Sequence, residues 1–193
     1  MSILQINASL HGNDGTSSRL ADDISTRLGG LLRRRDLSAE PLPHLDAETF
    51  AAFGTAPDER SAEQAARVAL SDQLIEELRE ADTLVLAVPM YNFGMPSTLK
   101  AWFDQVSRAG VSFRYSSNGP EGLLGEKRVI VVTSRGGNGA GSDSDMLSGH
   151  LRQLLAMLGL TAVEFVHAEG LARSGQRDAA LAGASEQIER LAA

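Results

Sequence analysis

Three short stretches carry the side chains and the free backbone from which a binding site can be made. Residues 83–104 read TLVLAVPMYNFGMPSTLKAWFD. An apolar run, 83–88, meets an irregular turn, Pro89-Met90-Tyr91-Asn92-Phe93-Gly94, and Pro96 then opens an amphipathic helix. Two aromatics, an amide and a glycine at the end of an apolar strand suit a flat, polar-edged heteroaromatic ring. Met90, Tyr91 and Phe93 can wall one face, and Asn92 offers a donor and an acceptor to the rim. Residues 7–19, NASLHGNDGTSSR, are rich in hydroxyls and glycines and lead into a helix. They can present the hydroxyls of Ser9, Thr16 and Ser17 and unpaired N–H groups to a phosphate, with the helix dipole favouring the anion. Residues 133–141, TSRGGNGAG, form a glycine loop whose N–H groups can approach a ligand closely and stabilise a carbonyl edge that gains negative charge. Each stretch alone also has a plainer role: a helix N-cap, a packed aromatic turn, a flexible chain reversal.

The hydrophobic pattern supplies elements that bring the three together. Strands are expected at 3–6, 34–37, 83–88, 128–133 and 162–166. A helix over 17–32 carries Leu20, Ile24, Leu28 and Leu31 on one face, and a long helix covers 61–81. Residues 41–60 read as a loop with a short helix. A helix with Leu99, Trp102, Phe103 and Val106 on one face follows Pro96. Ser142-Asp143-Ser144-Asp145 resembles a capping box that opens a helix ended by Gly159, and a last helix spans 176–191. Residues 111–115 alternate with period two and meet a turn-rich stretch, which is a hairpin or projecting arm. Strands that alternate with helices give an α/β fold: a flavodoxin-like, doubly wound, five-stranded parallel sheet of order 2-1-3-4-5 with helices on both faces. No linker divides the chain, so residues 1–193 are expected to form a single domain. In this arrangement ligands lie beyond the carboxyl ends of strands 1, 3 and 4, where the three stretches sit.

Composition narrows the function. The 193 residues are 42% hydrophobic and 22% charged, with a formal net charge of −7. An acidic balance argues against nucleic acid or an anionic membrane as the main partner. The one basic run, Arg33-Arg34-Arg35, reads as a solvated helix end. No cysteine is present, which excludes disulfides, thiol catalysis and thiolate metal sites and fits a reducing cytoplasm. His11, His44, His150 and His167 contain no i, i+4 pair, so no metal site is expected. Hydrolase-elbow, P-loop and dinucleotide fingerprints are missing. No signal peptide is evident, and no stretch approaches the roughly 20 apolar residues of a membrane span.

Met90-Tyr91-Asn92-Phe93, the helix Leu99-Lys100-Ala101-Trp102-Phe103-Asp104, Arg108-Ala109-Gly110-Val111, Phe113-Arg114-Tyr115, Asn118-Gly119-Pro120-Glu121-Gly122-Leu123 and Ser134-Arg135-Gly136-Gly137 stand in the register of a known family. The chain resembles the FMN-dependent NADH azoreductases, also called FMN-dependent NADH:quinone oxidoreductases, nearly end to end. The resemblance implies one FMN per subunit. Ser9, Gly15, Thr16 and Ser17 would hold its phosphate, and Met90, Tyr91, Asn92, Phe93, Ser134, Arg135, Gly136 and Gly137 its ring. It also implies a homodimer whose two sites are each completed by the other subunit, with the arm bearing Phe113 and Tyr115 as the candidate substrate mouth. The alternative for those two is an ordinary surface hairpin. Two departures stand out. The family often has a hydroxyl residue where this chain has Gly15, and an acidic residue is frequent where it has Ser116-Ser117.

The activity so implied is ping-pong: NADH gives a hydride to FMN, and a quinone or azo compound then takes two electrons. The cofactor carries the chemistry, so no side chain is expected to be indispensable as acid or base. Solvent or Tyr115 would supply protons. The other readings are an NAD(P)H-dependent FMN reductase, a flavodoxin-type electron carrier, and a non-enzymatic module for another nucleotide.

Overall fold

A computed structural model describes residues 1–192. Its central sheet is parallel, with order β2-β1-β3-β6-β7. These strands are β1 (Ser2–Asn7), β2 (Leu31–Asp36), β3 (Thr83–Pro89), β6 (Arg128–Ser134) and β7 (Val163–Ala168). A separate antiparallel pair, β4 (Phe113–Ser116) and β5 (Gly119–Gly122), forms the arm. With the arm set aside, the order is the expected 2-1-3-4-5. The three central strands, β1, β3 and β6, are buried on both faces, so their successive side chains feed two different cores. Leu84, Leu86 and Val88 of β3 meet α3 (Ala62–Glu80), α4 (Ser97–Val106) and α5 (Met146–Met157). Val85 and Ala87 meet α1 (Thr16–Leu28) and α6 (Arg177–Ala192) on the other side. A short helix, α2 (Ala47–Gly54), lies in the connection after β2.

Three expectations need correction. The first helix ends at Leu28, not at 32, because Gly29 and Gly30 take φ of 68° and 102° and turn the chain out. Leu31 fits the helical spacing but belongs to β2, where it is 77% exposed. The basic run is therefore no helix end. It lies on an edge strand, and each arginine has a carboxylate: Arg33 with Glu80, Arg34 with Asp22, Arg35 with Glu77. Charged side chains on an edge also discourage pairing with another chain's strand. Finally, the cap of α5 is Asp145 alone, which accepts from the Ser148 N–H, and the helix starts later than a box on Ser142 requires.

The arm is docked at its base. A Cβ placed on Gly122 would lie 2.0 Å from the Gly159 nitrogen, so backbone packs on backbone where β5 crosses the end of α5. Residue 159 also has a φ of +85° in the αL turn that stops α5.

Candidate functional site

The loops after β1, β3 and β6 meet at the carboxyl end of the sheet. Two adjoining clefts of about 320 and 170 Å³ share Met90, Arg135 and Gly136. The larger adds Asn92, Phe93 and Gly137, and the smaller adds Ser9, Thr16, Tyr91 and Ser134. Two of the expected contacts, Gly15 and Ser17, line neither cleft and lie beside Thr16 at the start of α1. A cavity of similar size, about 310 Å³, opens at the opposite end of the sheet between β2 and α3, away from all three loops.

The first loop ends in an uncapped helix. Gly15 stands at the N-cap of α1 without a side-chain acceptor, and the first intrahelical bond runs from the Arg19 N–H to the Gly15 carbonyl at 3.0 Å. No acceptor among the described residues meets the N–H groups of Thr16, Ser17 or Ser18. The hydroxyls of Ser17 and Ser18 are buried and also lack a partner among the described residues. Unpaired donors and a dipole end of this kind favour an anion. Beneath the loop, Gln5 donates to Asn7 and Asp22, and Asn7 donates to Asn13.

The loop after β3 is a tight reversal. Tyr91 and Gly94 exchange both N–H···O bonds at 3.0 Å, which leaves Asn92 and Phe93 as the two central residues. Their φ values are 49° and 66°, the only positive values outside glycine among the described residues. A two-residue turn with both centres left-handed matches the twist of a hairpin but strains a phenylalanine. The Phe93 ring is 76% exposed at the rim of the larger cleft. The loops are tied to one another: the Tyr91 hydroxyl accepts from the Leu10 N–H at 3.2 Å, and the Met90 N–H donates to the Ser134 carbonyl at 2.8 Å.

The glycine loop after β6 is held from behind. Arg135 is buried and pairs with Asp145 at 3.1 Å, with Glu169 3.8 Å away. Burial works against ionisation of Asp145, but donors from Ser148 and the Gly141 N–H, with the Arg135 charge, outweigh it and hold the carboxyl down at about 2. Behind them, burial and the Arg135 charge push His167 below its ordinary value, and its Nδ1 lies 2.7 Å from the Thr133 hydroxyl. The N–H groups of Gly136, Gly137 and Asn138 meet no acceptor among the described residues.

The arm does not reach either cleft within one chain. Phe113 is buried at its base, and Tyr115, 5.3 Å away edge to face, is 77% exposed. The expected contacts leave out His11, Asn138 and Gly139 of the singled-out loops, Pro89, Ser144 and Leu171, all of which line the clefts, and the acids Asp145 and Glu169 behind them. A usable signal existed for the acids: each stands next to a glycine-rich turn at the end of a sheet strand or the start of a helix.

Loops converging at the switch point of a doubly wound sheet define a nucleotide-binding α/β protein in form. Residues 1–192 match the family model described as flavodoxin-like fold, and the chain belongs to that family. It is 48% identical over 192 residues, 96% of its own length and 97% of the relative's, to the FMN-dependent NADH:quinone oxidoreductase of Burkholderia pseudomallei (strain 1710b). It is 46% identical over 199 residues, 100% of each chain, to the protein of that name from Dechloromonas aromatica (strain RCB). Among solved structures it resembles azoreductase AzrA, with a TM-score of 0.87 at 24% identity over 100% of this chain and 99% of that one. It also resembles an FMN-dependent NADH-azoreductase from Bacillus anthracis str. Ames Ancestor in complex with FMN, with a TM-score of 0.85 at 23% identity over 100% of both. At those identities the structural likeness is one of fold.

Proposed function

We propose that this chain is an FMN-dependent oxidoreductase that carries two electrons at a time from NADH to quinones and azo compounds. The observation that carries the reading is the set of unpaired donors around one pair of clefts: three N–H groups and two buried hydroxyls at the start of α1, and three N–H groups on the glycine loop. An FMN needs an anion site at one end and donors to a carbonyl edge at the other, and the donor set fits both. The relatives' names and their near-complete coverage support the same reading.

Ser9, Thr16 and Ser17 hold the phosphate beside Gly15, whose own N–H is taken by the Gly12 carbonyl at 3.2 Å. Met90, Tyr91, Asn92 and Phe93 frame the ring, and Ser134, Arg135, Gly136 and Gly137 bound its polar edge. The Ser9 hydroxyl is already an acceptor for the His11 N–H at 3.2 Å, so its own proton is free to donate. Bound there, FMN would supply the hydride-accepting and electron-donating chemistry that no side chain of the chain provides. The chain's part is to position, to exclude water with the Phe93 rim, and to aim the Gly136 and Gly137 N–H groups at developing negative charge. A quinone needs one such round; an azo bond needs two to reach a pair of amines.

The unit is one domain acting as a homodimer in the cytoplasm. Leu10 and Phe93 are exposed on loops at the site end of the sheet, Met146 at the start of α5 and Tyr115 on the arm, which suits burial against a second copy. Phe113 and Tyr115 then border the substrate mouth of the partner's site. The purified chain should be yellow, or turn yellow with FMN, and should oxidise NADH with menadione or methyl red only when FMN is present. A chain that remains colourless with added FMN contradicts the proposal.

A further inference from the structure

The segment after β7 aims the glycine loop. Three consecutive carbonyls of that loop, those of Arg135, Gly136 and Gly137, accept from the N–H groups of Leu171, Ala172 and Gly170 at 3.2, 3.1 and 2.9 Å. In a trans peptide the next residue's N–H points opposite to the carbonyl, and no cis bond is present among the described residues. Turning three carbonyls back therefore turns the N–H groups of Gly136, Gly137 and Asn138 away from residues 170–172, on the side where the loop borders the larger cleft. Farther along, the loop is pinned by two carboxylates. Glu169 accepts from the Ala140 N–H at 2.6 Å, and Asp145 accepts from the Gly141 N–H at 2.9 Å. The buried Arg135 guanidinium lies between these acids and balances their charge, at 3.1 Å from Asp145 and 3.8 Å from Glu169.

We propose that Glu169 is a positioning residue: through the Ala140 N–H it fixes the glycine loop so that the Gly136 and Gly137 N–H groups are preorganised for the ring of the bound flavin. This rests on the FMN reading above. Arg135 acts in the same unit, from behind the loop and not through contact of its side chain with the ring.

Two variants separate the acceptor from the charge. Glu169→Gln and Glu169→Ala both remove a negative charge near the site, but only Glu169→Ala removes the acceptor for Ala140. Titration of each apoprotein with FMN, followed by flavin fluorescence, is expected to leave Glu169→Gln within about threefold of the unsubstituted chain. Glu169→Ala should bind at least about tenfold more weakly, the scale of one lost charge-assisted bond. At saturating FMN the two-electron midpoint potential of Glu169→Ala should be more negative than that of Glu169→Gln, because misaimed donors stabilise the reduced ring less. Variants alike in both measurements overturn the proposal. An unsubstituted chain that binds no FMN overturns the FMN reading instead. If Glu169→Ala does not fold, amide exchange in the unsubstituted protein decides. The Ala140 and Gly141 amides should be protected before FMN is added, and those of Gly136 and Gly137 only afterwards. The opposite order contradicts the assignment.

Discussion

Asn92 and Phe93 show what a single residue can contribute here. A bulky side chain in the left-handed region costs about 1–2 kcal/mol, and it persists only where the surroundings enforce it. Phe93→Gly removes that strain but gives the unfolded chain more freedom, worth about 0.5–1 kcal/mol. The net expectation is a modest gain in stability and a rise in Tm of about 2 °C. NADH turnover should fall in the same variant because the exposed ring at the rim is gone. Melting curves and initial rates moving in opposite directions would show strain kept for function. Gly15 poses a different problem. A Cβ there would lie 2.1 Å from the Ser9 hydroxyl and 2.5 Å from the Ser9 Cβ, so rotating the hydroxyl away does not clear it. Gly15→Ala is expected to cost about 1–3 kcal/mol. A double-mutant cycle with Ser9→Gly should show a coupling of about 1 kcal/mol or more. Additive effects would mean that Ser9 is not what the glycine accommodates. The sequence shows Gly15 as a departure from the family's hydroxyl; only the fold shows Ser9 occupying the space. The left-handed pair was hidden for a similar reason, since Asn-Phe is not a dipeptide that announces such a turn.

At the level of elements, strongly apolar strands and the helix ended by Gly159 were legible, and the β2 edge with the helix end before it was not. β3 and β6 appear where the apolar runs place them. β2 was misplaced because Leu31 continues a helical spacing by coincidence and the three arginines disguise a strand. Its inward pairing comes from register with β1, a long-range effect that periodicity does not record. The start of α5 depends on Asp145, whose folded carboxyl at about 2 lies below its ordinary 3.8. The sign follows: its contribution to stability is complete above pH 3.8 and disappears as pH falls through about 2. The stability difference between the unsubstituted chain and Asp145→Asn should thus be constant near neutrality and shrink towards zero in acid. A difference that grows on acidification would contradict this. For the arm, Gly122→Ala forces a methyl into the Gly159 backbone and should cost about 3 kcal/mol or release β5 from α5. Urea unfolding and amide exchange in residues 119–122 would distinguish the two results.

For the molecule as a whole, topology decides where chemistry can occur. The change of direction between β1 and β3 brings their following loops side by side, and β6 adds the third. That much could be argued from the alternation of elements. The role of the segment after β7 could not, because three of its bonds to the glycine loop join backbone atoms of residues more than 30 positions apart, which no side-chain pattern records. The clefts remain open on one side in a single chain, with Phe93 and Tyr115 exposed. The protein should therefore sediment at twice the monomer mass, and Tyr115→Arg should shift it towards monomer; a monomer at micromolar concentration would count against shared sites. The proposed function is the passage of electrons from NADH through bound FMN to an acceptor. Its most direct test is anaerobic mixing of the FMN-loaded protein with one equivalent of NADH, followed by one equivalent of quinone. The flavin absorbance should bleach on the first addition and return on the second. A flavin that stays oxidised in the presence of NADH would contradict the claim and leave an electron carrier in its place.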